Sequence, residues 1–587
     1  MGTMQREKQI AEAEEILGDR LGEVGFAKGL FFGQYLGEKL LDYPKVQDPE
    51  TDRLTSELRT YCEQHVDAAQ IDRDAEIPQS VIDGLGKIGV LGACLPKSAG
   101  GLDLSQTSYC KVLEILGGHC GSTALFVNAH HSIGPRAIVL FGNDEQKEKY
   151  LAKAATGEWI NAFALTEPEA GSDAGNVQTM ATPTEDGTGY VINGQKRWIT
   201  NGGIAKVLTV MARTPIFGSK DTKITAFIVT PDTKGFEVVE KRMEKCGVRG
   251  TATSRLAFHD MFVPKENILG DLGKGLRVAL TVLDFGRTTF GASCTGAAKY
   301  CVARATSHAN QRVQFGETLG SFELVKEKLA YMQAGAFAME ACTYQTAALI
   351  DSGEGDFMLE TAMLKVFSTE VLWRIINDTL QIYGGAAYFT DQPFERMMRD
   401  ARINMIGEGA NDVLRAFTAL VGMRDVGLEL EGVLNAIKSP FGNLTKIGRF
   451  ASRKFSSLLV APSVSVRSVE LENDAAKLAQ SISLLGANVE RLLRTYQKEI
   501  VERQHQLARV ADAATEVYVS ACVLNRLDQM LRDGGNQGTQ KQLDLQTGRY
   551  FLKSSQRSVR HNMKALWDND DEQLNQLANR LLASESP

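Results

Sequence analysis

The hydrophobic period of this sequence changes twice along the chain, and that change limits the folds it can adopt. Up to about residue 160, apolar residues recur every three or four positions, as in IPQSVIDGLGKIGVLG, which predicts helices. Short β-rich runs such as GYVINGQKRWIT and KITAFIVT follow, separated by Gly, Asp, Thr and Pro, and these predict strands. The helical period returns after residue 271 and continues to the C-terminus. We therefore expect an α+β fold that is mainly α.

The 587 residues are too many for one hydrophobic core, and we expect four domains. They are an N-terminal helical domain over residues 1–160, a central antiparallel β domain over 161–270, a four-helix bundle over 271–430 and an additional C-terminal helical domain over 431–587. No helix-forming stretch separates the predicted strands, and no Gly-x-Gly-x-x-Gly motif follows any of them. A Rossmann fold is therefore disfavoured.

Charge, cysteine and histidine usage narrow the function classes. The 65 basic and 72 acidic side chains give a formal net charge of -7, which argues against nucleic acid as the main partner. The nine cysteines are scattered singly, and the pair His130–His131 has no further ligand at metal-binding spacing, so we expect no metal site. No signal peptide, transit peptide or run of about 18 apolar residues is visible. We expect a protein of the bacterial cytoplasm or the mitochondrial matrix.

Four short stretches carry the candidate chemistry. They are FALTEPEAGSDAG (163–175), RWIT (197–200), QIYGG (381–385) and GEGANDVLR (407–415). The first has small residues, hydroxyls and backbone N–H groups able to reach a phosphate or a heterocycle, without the lysine of a P-loop. In the last, Glu408 lies between two glycines. This is either an ordinary turn or a base held where backbone and substrate come close together.

In this order and with these separations, the four stretches resemble the acyl-CoA dehydrogenase family. The C-terminal region, with SPFGN at 439–443, resembles the very-long-chain branch of that family. The resemblance implies FAD as cofactor, a long- or very-long-chain acyl-CoA as substrate and electron-transfer flavoprotein as electron acceptor. It also implies a homodimer and α,β-dehydrogenation of the thioester to trans-2-enoyl-CoA in fatty acid β-oxidation.

The resemblance assigns the catalytic base to Glu408. In the family this Glu removes the α-proton of the thioester while the β-hydride leaves for the flavin, and its backbone N–H hydrogen-bonds the thioester oxygen. We expect desolvation by a bound acyl chain to raise the pKa of Glu408 toward the working pH, which makes a better base. One branch of the family places the base on a helix instead, in a segment similar to LDFGR, where this chain has Gly286. Glu408 is therefore the only family-like candidate.

The resemblance also implies contacts to FAD and to the substrate. The FAD-binding residues expected from the same chain are Phe163, Leu165, Thr166, Gly171, Ser172, Trp198, Thr200 and Asn411. Those expected from a neighbouring subunit are Arg312, Gln314, Phe315, Gln381, Gly384 and Gly385. The expected substrate-binding residues are Ser172, Asp284, Arg287 and Gly409. Arg312 also fits on physical grounds, since a guanidinium is the natural partner of pyrophosphate oxygens.

Two positions beside the base depart from the family pattern. Gly407 stands where the family usually has Phe or Tyr, and Ala410 stands where it has Thr. An unusual acyl group and weakened catalysis both stay open as explanations. Two alternative functions stay open as well: an acyl-CoA oxidase, in which oxygen reoxidises the flavin, and a catalytically weak assembly-factor paralogue.

The last feature is a basic stretch near the C-terminal region. Every charged residue from Lys438 to Arg467 is basic, and apolar residues recur at helical spacing within it. This pattern predicts an amphipathic basic helix over residues 440–460 that contacts a membrane surface. A helix packed on the bundle, or a linker, is the alternative interpretation.

Overall fold

The computed structural model describes residues 25–46, 48–216, 221–353, 356–438, 462–533 and 538–584. Contacts divide the chain into two compact units, and we describe each by itself. The first contains Pro44–Ala410, and the second combines Val24–Tyr43 with Asn411–Pro587. The predicted α+β fold, mainly α, is confirmed. The basic segment 440–460 lies outside the described residues, so its membrane contact stays a prediction.

Helices dominate the described residues, and most strands lie in one stretch of the chain. The helices are, in chain order, α1 Phe26–Phe31, α2 Pro49–His65, α3 Ala68–Asp74, α4 Gln79–Ile88, α5 Gln106–His119, α6 Gly121–Asn128, α7 Gly134–Phe141, α8 Asp144–Thr156, α9 Gly275–Gln311, α10 Glu323–Asp351, α11 Met358–Tyr383, α12 Phe394–Arg402, α13 Asn411–Lys438, α14 Glu472–Tyr496, α15 Gln504–Arg532, α16 Thr539–Ala565 and α17 Asp571–Ser584. The strands are β1 Asn161–Ala164, β2 Met180–Pro183, β3 Gly189–Ile199, β4 Val207–Pro215, β5 Thr222–Val229, β6 Phe236–Glu240, β7 Ser254–Pro264, β8 Ile268–Leu269, β9 Val313–Gln314 and β10 Glu317–Thr318.

Helix α8 leads into the β domain, and local residues determine both of its ends. Asn143 Oδ1 accepts the Gln146 N–H at 2.9 Å, while Gln146 Oε1 accepts the Asn143 N–H at 3.1 Å. This capping box satisfies donors that the first helical turn leaves free. Gly157 ends the helix with φ 78°, a left-handed conformation that favours glycine. The chain then enters β1, the strand that carries Phe163.

An eight-stranded sheet forms the β domain, in the order β6-β7-β3-β2-β4-β5-β8 with β1 alongside β4. Strand β4 is antiparallel to β5 but parallel to β1 and, at one residue pair, to β2. The predicted β domain is confirmed, and the expected purely antiparallel sheet is corrected to a mixed one. Alternation of apolar and polar residues reports which face of a strand is buried and not its direction, so the sequence does not reveal the parallel pairs.

Three long helices of the first unit, α9, α10 and α11, pack against one another, and α9 and α10 also pack against α5. Glycines allow α5 and α9 to cross closely. A carbon added at Gly117 would overlap the Ser293 carbonyl oxygen, and one added at Gly296 would overlap that of Glu114. This crossing sets the wall of the cavity described below.

The fourth helix predicted for the bundle, α13, belongs to the second unit, where it packs against α15. In that unit α14, α15 and α16 also pack on one another around buried apolar residues such as Leu485, Val510 and Val517. The predicted boundary at residue 430 stays a prediction, since the division of the contacts falls at residues 410 and 411. Among the described residues, we find no helix long and apolar enough to cross a bilayer.

Candidate active site

Glu408 lies in a short loop that follows α12, and its backbone is strained. Its φ is 56°, a left-handed value that costs a non-glycine residue about 1–2 kcal/mol, and Gly409 follows with φ 96°. Both carbonyls of this pair are held by buried cations. Arg287 Nε donates to Glu408 O at 3.4 Å, and Lys365 Nζ donates to Gly409 O at 2.7 Å. The two contacts keep the loop in a conformation that the chain alone disfavours.

Glu408 is half-buried as a residue, and its carboxylate has few donors. Asn128 Nδ2 donates to Oε1 at 3.3 Å. Oε2 is buried and has no hydrogen-bond partner among the described residues. Burial raises the pKa of Glu408 to about 7, although the charges of Arg287 and Lys365 act in the opposite direction. A carboxylate with a pKa near neutrality and one unpaired oxygen is suited to accept a proton.

Gly286, on α9, makes room for this carboxylate. A carbon added at Gly286 would lie 2.6 Å from Glu408 Oε2 and 3.0 Å from its carboxyl carbon. The helix position that carries the base in one branch of the family therefore meets the Glu408 carboxylate in space. Glu408 could not keep its observed position if residue 286 had a side chain.

The predicted substrate residues Asp284 and Arg287 form a buried ion pair next to Glu408. Arg287 Nη1 lies 3.0 Å from Asp284 Oδ1, and Thr361 Oγ1 donates to the same oxygen at 3.0 Å. Asp284 is 0% exposed and Arg287 is 6% exposed. The pair directs the Arg287 side chain so that its Nε reaches the Glu408 carbonyl.

The loop that follows β1 offers free backbone donors. Lys196 of β3 fixes the first residues of this loop, because its Nζ donates to Leu165 O at 3.0 Å and to Glu167 Oε1 at 2.6 Å. Gly171 and Ser172 are exposed, and neither backbone N–H has a partner in the part of the chain that the structure describes. A carbon added at Gly171 would meet no atom within 4 Å. This open, donor-lined loop suits a phosphate or the edge of a heterocycle.

Trp198 lies at the end of β3, close to that loop, and faces outward. The pairing of β3 with β7 is irregular between Lys196 and Ile199, and Trp198 has φ 60° and is 55% exposed. Arg197 stacks on its ring at 4.5 Å, and the Arg197 N–H donates to Thr166 O at 2.9 Å. Thr200 follows directly after the strand. An irregular strand end that exposes an indole beside free N–H groups fits a planar ring such as a flavin.

The residues expected to reach a neighbouring subunit lie together on the surface of the first unit. Stacking of His308 on Tyr383, with ring centroids 4.0 Å apart, joins the end of α9 to the end of α11. The residues predicted on these segments are exposed: Arg312, Gln314, Phe315, Gln381, Gly384 and Gly385. No hydrogen bond or ring contact links them to the loop after β1 within the described residues. Asn411 begins α13 in the second unit and is buried.

A mainly apolar cavity lies near Glu408 between α6 and α9. Its volume is about 60 Å³, and its wall includes Gly121 and Asn128 on one side and Phe290 and Ala297 on the other. Asn128 is also the residue that donates to the Glu408 carboxylate. One end of the cavity is therefore next to the base.

Sequence reasoning missed three residues of this site: Asn128, Lys365 and Lys196. Asn128 lies in the mainly apolar stretch LFVNAHHSIG, and Lys365 lies in ETAMLKVF, where each directly follows apolar residues of a helical run. Both are buried. A polar residue at a predicted core position is the signal that could have identified them, since such a residue needs a partner.

Four family models match the chain and together cover most of it. The N-terminal, middle and C-terminal domain models of acyl-CoA dehydrogenases match residues 48–158, 162–261 and 273–421. The model of the ACAD9/ACADV C-terminal domain matches residues 469–586.

Individual relatives agree with these matches. The chain is 36% identical over 565 residues to the very long-chain specific acyl-CoA dehydrogenase, mitochondrial, of Bos taurus, which covers 93% of this chain and 85% of that one. The crystal structure of an acyl-CoA dehydrogenase complexed with FAD from Bacillus anthracis is similar with a TM-score of 0.79 and 28% identity, covering 94% of each chain. The butyryl-CoA dehydrogenase of Megasphaera elsdenii is similar with a TM-score of 0.61 and 34% identity, covering 64% of this chain and 98% of that one. These matches show that the chain belongs to the acyl-CoA dehydrogenase family of FAD-dependent oxidoreductases.

Proposed function

We propose that this protein dehydrogenates long- or very-long-chain acyl-CoA to trans-2-enoyl-CoA in fatty acid β-oxidation, in the bacterial cytoplasm or the mitochondrial matrix. The observation that carries this proposal is the Glu408 carboxylate, buried and with a pKa of about 7, next to one end of an apolar cavity. Electrons then pass to electron-transfer flavoprotein, an acceptor supported by family membership alone.

Glu408 removes the α-proton of the thioester in this proposal. Its Oε2 is the atom that accepts the proton, because it is buried and has no hydrogen-bond partner among the described residues. The Glu408 backbone N–H is likewise without a partner in the described part of the chain, and it can donate to the thioester oxygen as negative charge develops there. Gly409, with its positive φ, allows the substrate to approach this N–H. The buried pair of Asp284 and Arg287 lines the same region.

FAD, when bound, accepts the hydride from the β-carbon. We assign its flavin to the loop after β1 and to the end of β3, through Phe163, Leu165, Thr166, Gly171, Ser172, Trp198 and Thr200. For Asn411, FAD binding stays a prediction from the resemblance. Free N–H groups and the exposed indole support this assignment. In a second copy, the residues that would hold its adenosine and pyrophosphate are Arg312, Gln314, Phe315, Gln381, Gly384 and Gly385. Their exposure supports a homodimer in which each FAD site needs two chains.

The cavity supports an acyl chain as the group that extends past Glu408. Its wall follows α9 from Phe290 to Ala297, a stretch of about 10 Å at the rise of an α-helix. Gly407 leaves further room beside Glu408, because a carbon added there would meet only Ile403 O, at 3.6 Å.

Anaerobic titration of the FAD-loaded protein with palmitoyl-CoA tests the proposal. We expect the flavin absorption band to bleach in the wild type and to persist in Glu408→Gln. Glu266→Gln, which neutralises an exposed carboxylate of the β domain, is the matched control and should bleach like the wild type. A wild type that no acyl-CoA reduces contradicts the proposed function. High peroxide yield under air with no electron transfer to the flavoprotein acceptor would instead favour the oxidase.

A further inference from the structure

Lys365 is a lysine buried in the middle of α11, and burial of its charge needs a reason. The residue is 0% exposed, and burial lowers the pKa of its ammonium to about 8. Lysine is almost never fully buried unless it is paired. Its Nζ donates to Gly409 O at 2.7 Å, and Glu408 is the principal charge that favours its protonated form. The lysine is therefore directed at the loop that carries the base.

The contact of Lys365 has a counterpart on the neighbouring carbonyl. Arg287 Nε donates to Glu408 O, so two consecutive carbonyls are held by two cations from different helices. Both loop residues have positive φ, and only Gly409 adopts such a value without strain. A conformation of this kind persists only when its surroundings determine it. Loss of either cation should let the Glu408 peptide rotate.

We propose that Lys365 is a positioning residue for the base: its ammonium fixes the Gly409 carbonyl, orients the Glu408 carboxylate and N–H, and favours the ionised carboxylate. This inference rests on the proposed role of Glu408 as base. Arg287 shares the task, but its charge is offset by Asp284 at 3.0 Å. Lys365 donates to the carbonyl of Gly409, the residue after the base. Lys365 is therefore the cation that fixes the position of the backbone on that side of Glu408.

The charged groups around this pair set the sign of the pH effect. Arg287 and Lys365 face Glu408, with Arg287 the larger influence, and both lower the pKa of Glu408 against the effect of burial. Lys365 itself faces Glu408, Arg287, Cys294 and Glu370. Replacing Lys365 with a neutral residue removes one of the two cations near Glu408. The pKa of Glu408 should then rise above about 7, and a higher pH should be needed to ionise it.

The test is the pH dependence of flavin reduction by saturating palmitoyl-CoA, measured anaerobically on FAD-loaded Lys365→Met and Lys365→Gln. Gln keeps an N–H donor for Gly409 O and loses the charge, whereas Met loses both. We expect the apparent pKa of the reaction to rise by about one unit in both variants. We expect the limiting rate to fall about 10-fold in Lys365→Gln and about 100-fold in Lys365→Met, because misplacement of a base by about 1 Å has effects of this size.

Lys299→Met is the matched control, since Lys299 is held by Glu114 at 2.7 Å and Glu340 at 2.5 Å and contacts no loop residue of the base. It should leave the apparent pKa unchanged. If Lys365→Gln binds FAD and keeps the wild-type apparent pKa and limiting rate, the inference is overturned while the proposed function stands. If Lys365→Met does not fold, Lys365→Gln decides alone. If no acyl-CoA reduces the wild type, the proposed function is wrong, and the inference that rests on it is wrong as well.

Discussion

Two carboxylates of the first unit, Glu167 and Glu408, each face a buried lysine, yet their pKa values are shifted in opposite directions. At Glu167 burial raises the pKa, but Lys196 at 2.6 Å and hydrogen bonds from Thr179 and the Gln178 N–H outweigh it, so the pKa is lowered. At Glu408 one donor at 3.3 Å and two cations do not outweigh burial, and the pKa rises to about 7.

This difference shows that the donors around a carboxylate, and not its burial alone, determine the direction of its pKa shift. Lys196 makes its short contact directly to the Glu167 carboxylate, which becomes a fixed anion that ties the loop after β1 to β3. Lys365 makes its contact to the backbone of the neighbouring residue, which leaves Glu408 Oε2 without a donor among the described residues. One carboxylate is used for structure, and the other stays available for proton transfer.

The largest predicted difference between the two carboxylates is in catalysis. Glu408→Gln should lower the rate of flavin reduction by about 10²–10⁴-fold, since the amide cannot accept the α-proton. The variant should remain as stable as the wild type, because the replaced carboxylate has one weak donor. Rapid mixing with palmitoyl-CoA gives the rate, and a thermal melt gives the stability. A large loss of stability would mean that Glu408, like Glu167, is structural.

Glu167→Gln should lower the stability of the protein, in contrast to Glu408→Gln. It leaves the Lys196 ammonium buried without its counter-charge, and breaking a buried ion pair in this way costs about 3–5 kcal/mol. Chemical denaturation of the β domain should show this loss, with FAD content falling as the loop after β1 loosens. Should Glu167→Gln unfold at the wild-type denaturant concentration, the assignment of Glu167 as a structural anion is wrong.

A smaller change tests the space around the base. Gly286→Ala places a carbon 2.6 Å from Glu408 Oε2 and should displace the carboxylate, lowering the reduction rate by about 10–100-fold with FAD still bound. Gly291→Ala on the same helix is the control, because the atoms nearest to its added carbon belong to the Leu364 side chain, at 3.0 Å. Equal rates in the two variants would contradict the position of the carboxylate.

The smallest effect concerns the single donor to the base. Asn128→Leu removes the 3.3 Å hydrogen bond to Glu408 Oε1 and should raise the apparent pKa of the reaction by about half a unit, because this bond is long and favours the ionised form only weakly. The pH profile of flavin reduction measures the shift. A lowered apparent pKa would mean that Asn128 acts on Glu408 in another way.

The fold class and the family are predictable from sequence because their signals are local. A change of period from helix to strand marks the β domain, and Glu408 is recognised within a short segment between glycines. The assigned roles of the site residues stay predictions. The parallel pairing of β4 and the place of α13 in the second unit depend on contacts between distant segments, which the period of one segment does not encode.

The same reason explains why the contacts around Glu408 cannot be predicted from the sequence. Asn128, Gly286 and Lys365 belong to three different helices and are separated by many residues in the chain. Their only common property is that each approaches Glu408 or the residue after it. Helix packing brings them together, and a single sequence shows only that a polar residue or a glycine interrupts an apolar run.

The central claim is that Glu408 is a base whose pKa burial has raised to about 7. The most direct test is the rate constant for flavin reduction by palmitoyl-CoA in the wild type, measured anaerobically from about pH 5.5 to about pH 8.5. The base must be ionised, so the rate should be constant above the pKa and fall about 10-fold per pH unit below it, with the midpoint near 7. A rate that does not change across this range, or a midpoint near the ordinary pKa of Glu at about 4.3, would contradict the account.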